Sequence, residues 1–160
     1  MITKLMRRLE PYARYNEFRE PVSPLRVNQF ETQKKVRLPS DYREWLTNVA
    51  NGGELLIPGT VFYGIYDPDC SRSQDMVELL TYWNRREIRD TYRIPKGLFV
   101  IGVTNYGSLI GFDEKTGRIQ EWDHETGQIA EEWDTFAEYV EEEIEIFEEN
   151  SAAMDGEDRT

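Results

Sequence analysis

The chain has 160 residues, 39% of them hydrophobic and 12% aromatic, with a formal net charge of −12. This length fits one domain, and the supply of large apolar side chains excludes a chain that is disordered throughout. Cys70 is the single cysteine, which excludes an intramolecular disulfide and a cysteine-rich zinc site. The amino-terminal segment lacks the apolar stretch of a signal peptide, and no segment has the length and composition of a bilayer span, so we expect a cytoplasmic protein.

The charge is divided unevenly along the chain. Residues 1–112 carry 16 Lys and Arg against 13 Asp and Glu, a net charge of +3, whereas residues 113–160 carry 3 against 18, a net charge of −15. Such an acidic block repels nucleic acid phosphates and anionic lipid headgroups, and it attracts basic proteins. We therefore expect a protein partner, and neither nucleic acid nor a membrane.

Three helices are predicted before residue 50. The first has apolar residues at helical spacing, namely Ile2, Leu5, Met6 and Leu9, and Pro11 interrupts it. In the second, Ser23 fits the N-cap and Pro24 the first helical position, with Val27 and Phe30 on one face. The third begins at Pro39 and is expected to end at the turn of residues 51–53; its core face consists of Tyr42, Trp45, Leu46 and Val49.

The rest of the chain predicts strands, one helical insert and a closing helix. ELLIP and VFYGIY, separated by Pro58 and Gly59, read as two short strands or as one strand with a sharp break. Residues 73–92 read as a helix with the apolar face Met76, Leu79, Leu80, Trp83 and Ile88. LFVIGVT, SLIGFD, RIQEWD and QIAEEW then follow with glycine-containing turns between them, which predicts an antiparallel meander. Thr135 and Glu138 have capping-box spacing at the start of the last helix, whose buried residues are expected to be Phe136, Val140, Ile144 and Phe147.

The order of these segments, from about residue 23 to 149, resembles the SUKH superfamily of Smi/Knr-like proteins. Its most specific pieces are Leu38 and Pro39 followed by Tyr42 and Trp45, and then the turn at residues 51–53. The resemblance implies a single α+β domain whose mixed, largely antiparallel sheet of about six strands is flanked by helices at both ends, with a helical insert in the middle. We assign residues 1–150 to this domain and expect a disordered acidic tail over residues 151–160.

The resemblance also implies a function without catalytic residues. Bacterial members of the superfamily are commonly immunity proteins, which bind and neutralise the toxic domain of a polymorphic or contact-dependent toxin, whereas fungal members act in regulating cell-wall synthesis. We expect no cofactor and no metal. The very acidic last helix and the long middle insert depart from the usual pattern of the family, which leaves the partner open.

Acidic residues of the last helix and of the hairpin before it are the candidate partner-binding site. The glutamates of the helix repel one another at spacings of three and four residues, no lysine is expected to relieve them, and a basic partner surface would explain their retention. A solubilising face is the alternative interpretation. The predicted partner-binding residues are Asp123, Glu125, Glu138, Glu141, Glu142, Glu145, Glu148 and Glu149.

The leading hypothesis is an immunity protein that covers the active site or substrate groove of a basic toxin, for example a nuclease. Aromatic anchors inside the charged rim would come, where exposed, from Tyr63, Tyr66, Tyr106, Trp122 and Trp133. One alternative is a regulatory or interaction protein of the same fold with no toxin partner. A remote alternative is a hydrolase that uses the cluster Glu121, Asp123, His124 and Glu125.

Overall fold

The computed structural model describes the backbone of residues 2–158 and the side chains through Ala152. Its helices are α1 (Ile2–Leu9), α2 (Pro24–Lys34), α3 (Ser40–Asn48), α4 (Leu80–Trp83), α5 (Arg86–Tyr92) and α6 (Phe136–Asp158). Two further short 3₁₀ helices span Glu10–Tyr15 and Met76–Glu78. The strands are β1 (Glu17–Phe18), β2 (Gly53–Leu55), β3 (Thr60–Phe62), β4 (Leu98–Val103), β5 (Leu109–Asp113), β6 (Ile119–Asp123) and β7 (Gln128–Trp133).

The seven strands form one open sheet in the order β1 to β7, and every neighbouring pair is antiparallel. The predicted α+β class, with helices at both ends and a helical insert, is confirmed. Within residues 2–158, the sheet has one strand more than the six or so expected, and it contains no parallel strand pair. Each strand pairs with the strand before it in the sequence, so the parallel crossover that a mixed sheet requires does not arise.

The two turns that flank β6 have the same local hydrogen bonding, and they place β5, β6 and β7 side by side. Asp113 accepts a hydrogen bond from the Lys115 N–H at 2.7 Å, and Asp123 accepts one from the Glu125 N–H at 2.9 Å. In each turn the N–H of the glycine four residues after the aspartate donates to its carbonyl, at 2.7 and 2.8 Å. Aspartate favours such turns because its side chain can bond the backbone two residues on. The predicted meander is confirmed.

The starts of α2 and α3 follow the proline signals closely. Ser23 Oγ accepts from the Arg26 N–H at 3.3 Å, and α2 begins at Pro24, as predicted. Pro39 is the cap residue of α3, which begins one residue later than predicted and ends at Asn48, before the turn at residues 51–53. Within that turn, the Asn51 side chain bonds the backbone of Ile65: it donates to the Ile65 C=O and accepts from the Ile65 N–H, both at 2.8 Å.

The segment 73–92 is not one continuous helix, and this prediction is wrong. It consists of the 3₁₀ helix Met76–Glu78, α4 and α5, separated by residues with extended or irregular backbone. Leu79 is extended and forms an isolated bridge with Gly64, while Asn84 exchanges hydrogen bonds with the Val100 backbone, both at 2.9 Å. Bonds to the sheet therefore interrupt the helix, and Met76, expected in the core, is 58% exposed.

Helix α6 closes the domain over one face of the sheet. Thr135 Oγ1 accepts from the Glu138 N–H at 3.2 Å, as predicted, but the Glu138 carboxylate accepts from the Asp134 N–H and not from that of Thr135. The predicted residues Phe136, Val140 and Ile144 are buried, and Phe147 is half-buried. The ring of Phe136 packs against Tyr42, Trp45 and Phe62, which fixes α6 against both α3 and the sheet.

Helix α6 is 23 residues long and continues through Asp158. The backbone of residues 151–158 is thus helical in the segment where the sequence predicts a disordered acidic tail, and residues 159 and 160 of that tail lie outside the described residues. None of the helices within the described residues combines the length and the apolar character needed to cross a bilayer.

Candidate functional site

The eight predicted partner-binding residues, named here the acidic face, lie on two parts of the fold. Asp123 ends β6 and Glu125 is exposed in the turn that follows, where the two are joined by a backbone hydrogen bond. The other six lie on α6. In the described part of the chain, no hydrogen bond or ion pair joins the two turn residues to those of α6.

Helix α1 supplies basic partners to two residues of the acidic face. Arg8 forms an ion pair with Glu148 at 3.0 Å, and the Tyr12 hydroxyl donates to the same carboxylate at 2.9 Å. Lys4 approaches Glu141 at 3.9 Å. The expectation that no lysine relieves these glutamates is therefore wrong at Glu141, because α1 packs beside α6. Exposed ion pairs of this kind contribute little to stability, so they offset only part of the negative field.

Two further glutamates of the acidic face have structural partners. Glu138 accepts from the Asp134 backbone at the start of α6, and Glu142 accepts from the Trp133 indole N–H at 2.9 Å. Glu145 and Glu149 are exposed, and neither has a hydrogen-bond or ion-pair partner among the described side chains. These two carboxylates are the ones most accessible to a partner.

A second group of acidic residues, named here the carboxylate cluster, lies where α6 faces β6 and β7. Its members are Glu121, Glu131, Glu142 and Glu143. Glu121 is 8% exposed and lies directly opposite Glu131 in the β6–β7 ladder. The Tyr106 hydroxyl donates to Glu121. Among the described residues, no Lys or Arg forms an ion pair with any of the four.

The surroundings of the carboxylate cluster disfavour the ionised form of its members. Burial, and then repulsion from Glu142, Glu121 and Glu131, raises the pKa of Glu143 to about 7. Burial also raises the pKa of Glu131, with Glu142 and Glu121 adding to the effect. Full ionisation of the cluster is therefore disfavoured near neutral pH, and positive charge on a partner would favour it.

The sequence contains a signal for two members of this cluster that are not among the eight predicted residues. Glu121 lies two residues after Ile119, so the alternation of a strand places both on one face of β6. Glu143 follows Val140 by three residues and Tyr139 by four, which places it on the buried side of α6. A charged residue at an inward position is unusual, and this would have identified Glu121 and Glu143.

The residues of the hydrolase alternative do not assemble into one site. Glu121 is buried toward α6, whereas His124 and Glu125 are exposed in the turn and the Asp123 carboxylate bonds the Glu125 backbone. Within the described residues, the His124 imidazole forms no hydrogen bond or ion pair with any of these carboxylates. No group of three or more His, Cys, Asp or Glu in that part of the chain is arranged to hold a metal ion.

Exposure separates the five aromatic residues proposed as anchors. Tyr63 and Trp122 are buried in the core, and Trp133 is half-buried against α6. Tyr66 is 58% exposed and Tyr106 is 66% exposed. Because Tyr106 also bonds Glu121, it is the exposed aromatic residue that adjoins the carboxylate cluster.

The family model described as SUKH_6, SMI1-KNR4 cell-wall, matches residues 25–140, which is most of the chain. The chain belongs to this SUKH family. The resemblance seen in the order of the sequence segments is thereby confirmed. A comparison with the curated proteins found no match.

The SUKH match covers the chain from α2 into the first turns of α6. Glu121, Asp123, Glu125, Glu131 and Glu138 lie inside the matched range. The remaining acidic residues follow it, namely Glu141, Glu142, Glu143, Glu145, Glu148 and Glu149. Membership of the SUKH family therefore does not by itself account for the dense negative charge of α6.

Proposed function

We propose that this SUKH protein is an immunity protein that binds a basic toxin domain and neutralises it. The single observation that carries the proposal is the concentration of uncompensated carboxylates where α6 meets β6 and β7. Family membership supports it, because the bacterial proteins that the chain resembles are commonly immunity proteins. Direct contact is the proposed mode of action, with no catalytic residue and no cofactor.

Binding of a basic surface would relieve a cost that the folded protein carries. Glu121, Glu131, Glu142 and Glu143 have no Lys or Arg partner in the described part of the chain, and Glu145 and Glu149 repel each other one helical turn apart. Lysine and arginine side chains of a toxin would supply the missing positive charge. In a nuclease these side chains grip the phosphates of the substrate, so covering them would block activity.

The proposed interface also contains an apolar contact. Tyr106 is exposed beside the carboxylate cluster, and its hydroxyl is held by Glu121. Tyrosine at the centre of a charged rim is typical of residues that dominate binding energy. We expect Tyr106 to act as such an anchor, and we expect the complex to form in the cytoplasm, where an incoming toxin would act.

The test is rescue of a host from a toxin. Candidate toxin domains from neighbouring genes are each expressed with and without the full chain, and growth and pull-down are measured. Glu145→Lys with Glu149→Lys should weaken binding at least about tenfold by reversing two exposed charges. Glu44→Lys is the matched control, because Glu44 is an exposed glutamate of α3. Full rescue by the α6 variant would contradict the electrostatic part.

The description of the family favours one other candidate, a regulatory protein that acts on cell-wall synthesis without a toxin. The words "SMI1-KNR4 cell-wall" belong to the family model and support this candidate for the chain. Deletion of the gene in a strain that has no toxin gene discriminates between the two. Altered sensitivity to cell-wall inhibitors would support the regulatory role, whereas an unchanged strain would support the immunity role.

A further inference from the structure

Strand β7 is an edge of the sheet and is open along its length. It has six residues, the first five of which are exposed, and among the described strands it pairs with β6 alone. No backbone–backbone hydrogen bond outside the β6–β7 ladder involves residues 128–133 in the described part of the chain. The strand contains neither proline nor lysine, the residues that commonly protect an edge from pairing. The opposite edge, β1, is only two residues long.

The orientation of the β7 backbone follows from the ladder between β5 and β6. The Asp113 N–H donates to the Arg118 C=O, so this is a hydrogen-bonded pair. Hydrogen-bonded and non-bonded pairs alternate, and two pairs further on Gln120 opposite Gly111 again directs its N–H and C=O toward β5. Glu132 lies opposite Gln120 on the other side. The N–H and C=O of Glu132 therefore point away from β6, toward solvent.

The side chains of β7 oppose pairing with a second copy of the strand. Glu131 and Glu132 lie in its second half, and an antiparallel pairing that sets Glu131 opposite its own copy would place like charges directly opposite each other, which is destabilising. The ladder also shifts register between Glu131 and Ile129, which leaves Ala130 as an extra residue and bends the edge. Repulsion therefore disfavours that self-pairing, whereas a strand that carries positive charge would be attracted to Glu131.

We propose that β7 receives an extended segment of a basic partner, which adds an eighth, antiparallel strand to the sheet. Backbone bonds at Glu132 supply affinity, and Lys or Arg side chains of the added strand face Glu131, whereas Glu132 already forms an ion pair with Arg118 at 3.5 Å on the other face. This inference rests on the proposed function in one respect, namely that the partner which supplies the strand is a toxin. It specifies the mode of contact, which is strand addition at the edge beside the carboxylate cluster.

An eight-residue peptide that alternates Lys and Val provides the probe. It is titrated into the full chain, and amide hydrogen exchange is followed residue by residue. We expect exchange at the Glu132 amide to slow about tenfold near saturation, because that N–H gains an acceptor. A peptide that alternates Glu and Val should leave it unchanged.

Two variants separate the backbone contact from the charge. Glu132→Pro removes the outward N–H, and proline is tolerated on an edge strand where its missing donor would face solvent. Glu132→Ala is the matched control, since it loses the same carboxylate and keeps the N–H. We expect Glu132→Pro to bind the peptide at least about tenfold more weakly than Glu132→Ala. Unchanged signals from β6 amides show that the sheet of each variant is intact.

Three results would overturn strand addition: equal binding of the peptide by the two variants, peptide binding that leaves exchange at Glu132 unchanged, or a dimer of the chain alone that Glu132→Pro dissociates. If the chain neutralises a toxin but does not bind the peptide, strand addition is overturned and the proposed function is kept. If the peptide pairs with β7 but the chain neutralises no toxin, the proposed function is overturned and strand addition is kept.

Discussion

Glu143 lies where its negative charge opposes folding. Burial and the neighbouring carboxylates raise its pKa to about 7 from an ordinary value of 4.5. Its contribution to stability is therefore fully present below about pH 4.5 and is lost as the pH rises through about 7. We expect Glu143→Gln to raise the free energy of unfolding at pH 8 by about 1 to 2 kcal/mol, a range reduced for the partial exposure of the side chain. Urea unfolding at pH 8 and pH 5 measures it.

The comparison between the two pH values tests the cause. At pH 5 most of the Glu143 carboxyl is already protonated, so the glutamine variant should differ little from the unchanged chain. Glu145→Gln is the matched control, because Glu145 is an exposed glutamate of the same helix. An equal gain at pH 8 from both variants would assign the effect to net charge and contradict a role of the carboxylate cluster.

Asn51 is a second residue whose environment makes a sharp prediction. Its buried side chain accepts from the Ile65 N–H, while the Ile65 C=O also receives a bond from Gln74 at 2.9 Å. Asn51→Ala would leave the buried N–H without a partner, and we expect a loss of about 1 to 3 kcal/mol in urea unfolding. Asn48→Ala is the control, because the Asn48 side chain is exposed. Similar losses in the two variants would contradict the bridging role of Asn51.

At the scale of elements, α6 receives a cap from a distant helix. The buried Asp41 carboxylate of α3 accepts from the Ala137 N–H at 2.8 Å, one of the first N–H groups of α6 that have no acceptor within the helix. We expect Asp41→Ala to cost about 1 to 3 kcal/mol and Thr135→Ala, which removes the local cap, about 1 kcal/mol. Asp41→Asn keeps an acceptor oxygen and should recover part of the loss in thermal unfolding. An asparagine variant as unstable as the alanine variant would show that charge, not the acceptor, is required.

The elements that the sequence predicts well are those that local chemistry decides. Ser23 with Pro24 starts α2, and the aspartate-to-glycine turns on either side of β6 form within five residues. The insert was predicted wrongly because its breaks are decided elsewhere. Asn84 ends α4 by bonding Val100 on the sheet, and no periodicity within residues 73–92 contains that information.

At the scale of the whole molecule, the candidate site was only partly visible in the sequence. The exposed charges Glu145 and Glu149 follow from the helical period alone, and they were among the predicted residues. The carboxylate cluster requires the register of β6 against β7 and the packing of α6 over both strands. Glu121 could be placed on an inward face from its strand, but its meeting with Glu143 depends on contacts across some twenty residues.

The charge distribution of the whole chain predicts that added salt raises the stability of the free protein and lowers its affinity for a basic partner. Residues 113–160 carry a net charge of −15, and salt shortens the range of their repulsion from roughly 30 Å at 0.01 M to about 3 Å at 1 M. We expect the thermal midpoint of the free chain to rise with NaCl, and to rise less in the variant with Glu145→Lys and Glu149→Lys than in Glu44→Lys. A midpoint that falls with NaCl would mean that ion pairs such as Arg8 with Glu148 outweigh the repulsion. NaCl should also weaken binding of a basic partner, because it screens the attraction between the two proteins. If stability rises while affinity falls, the same carboxylates account for both effects.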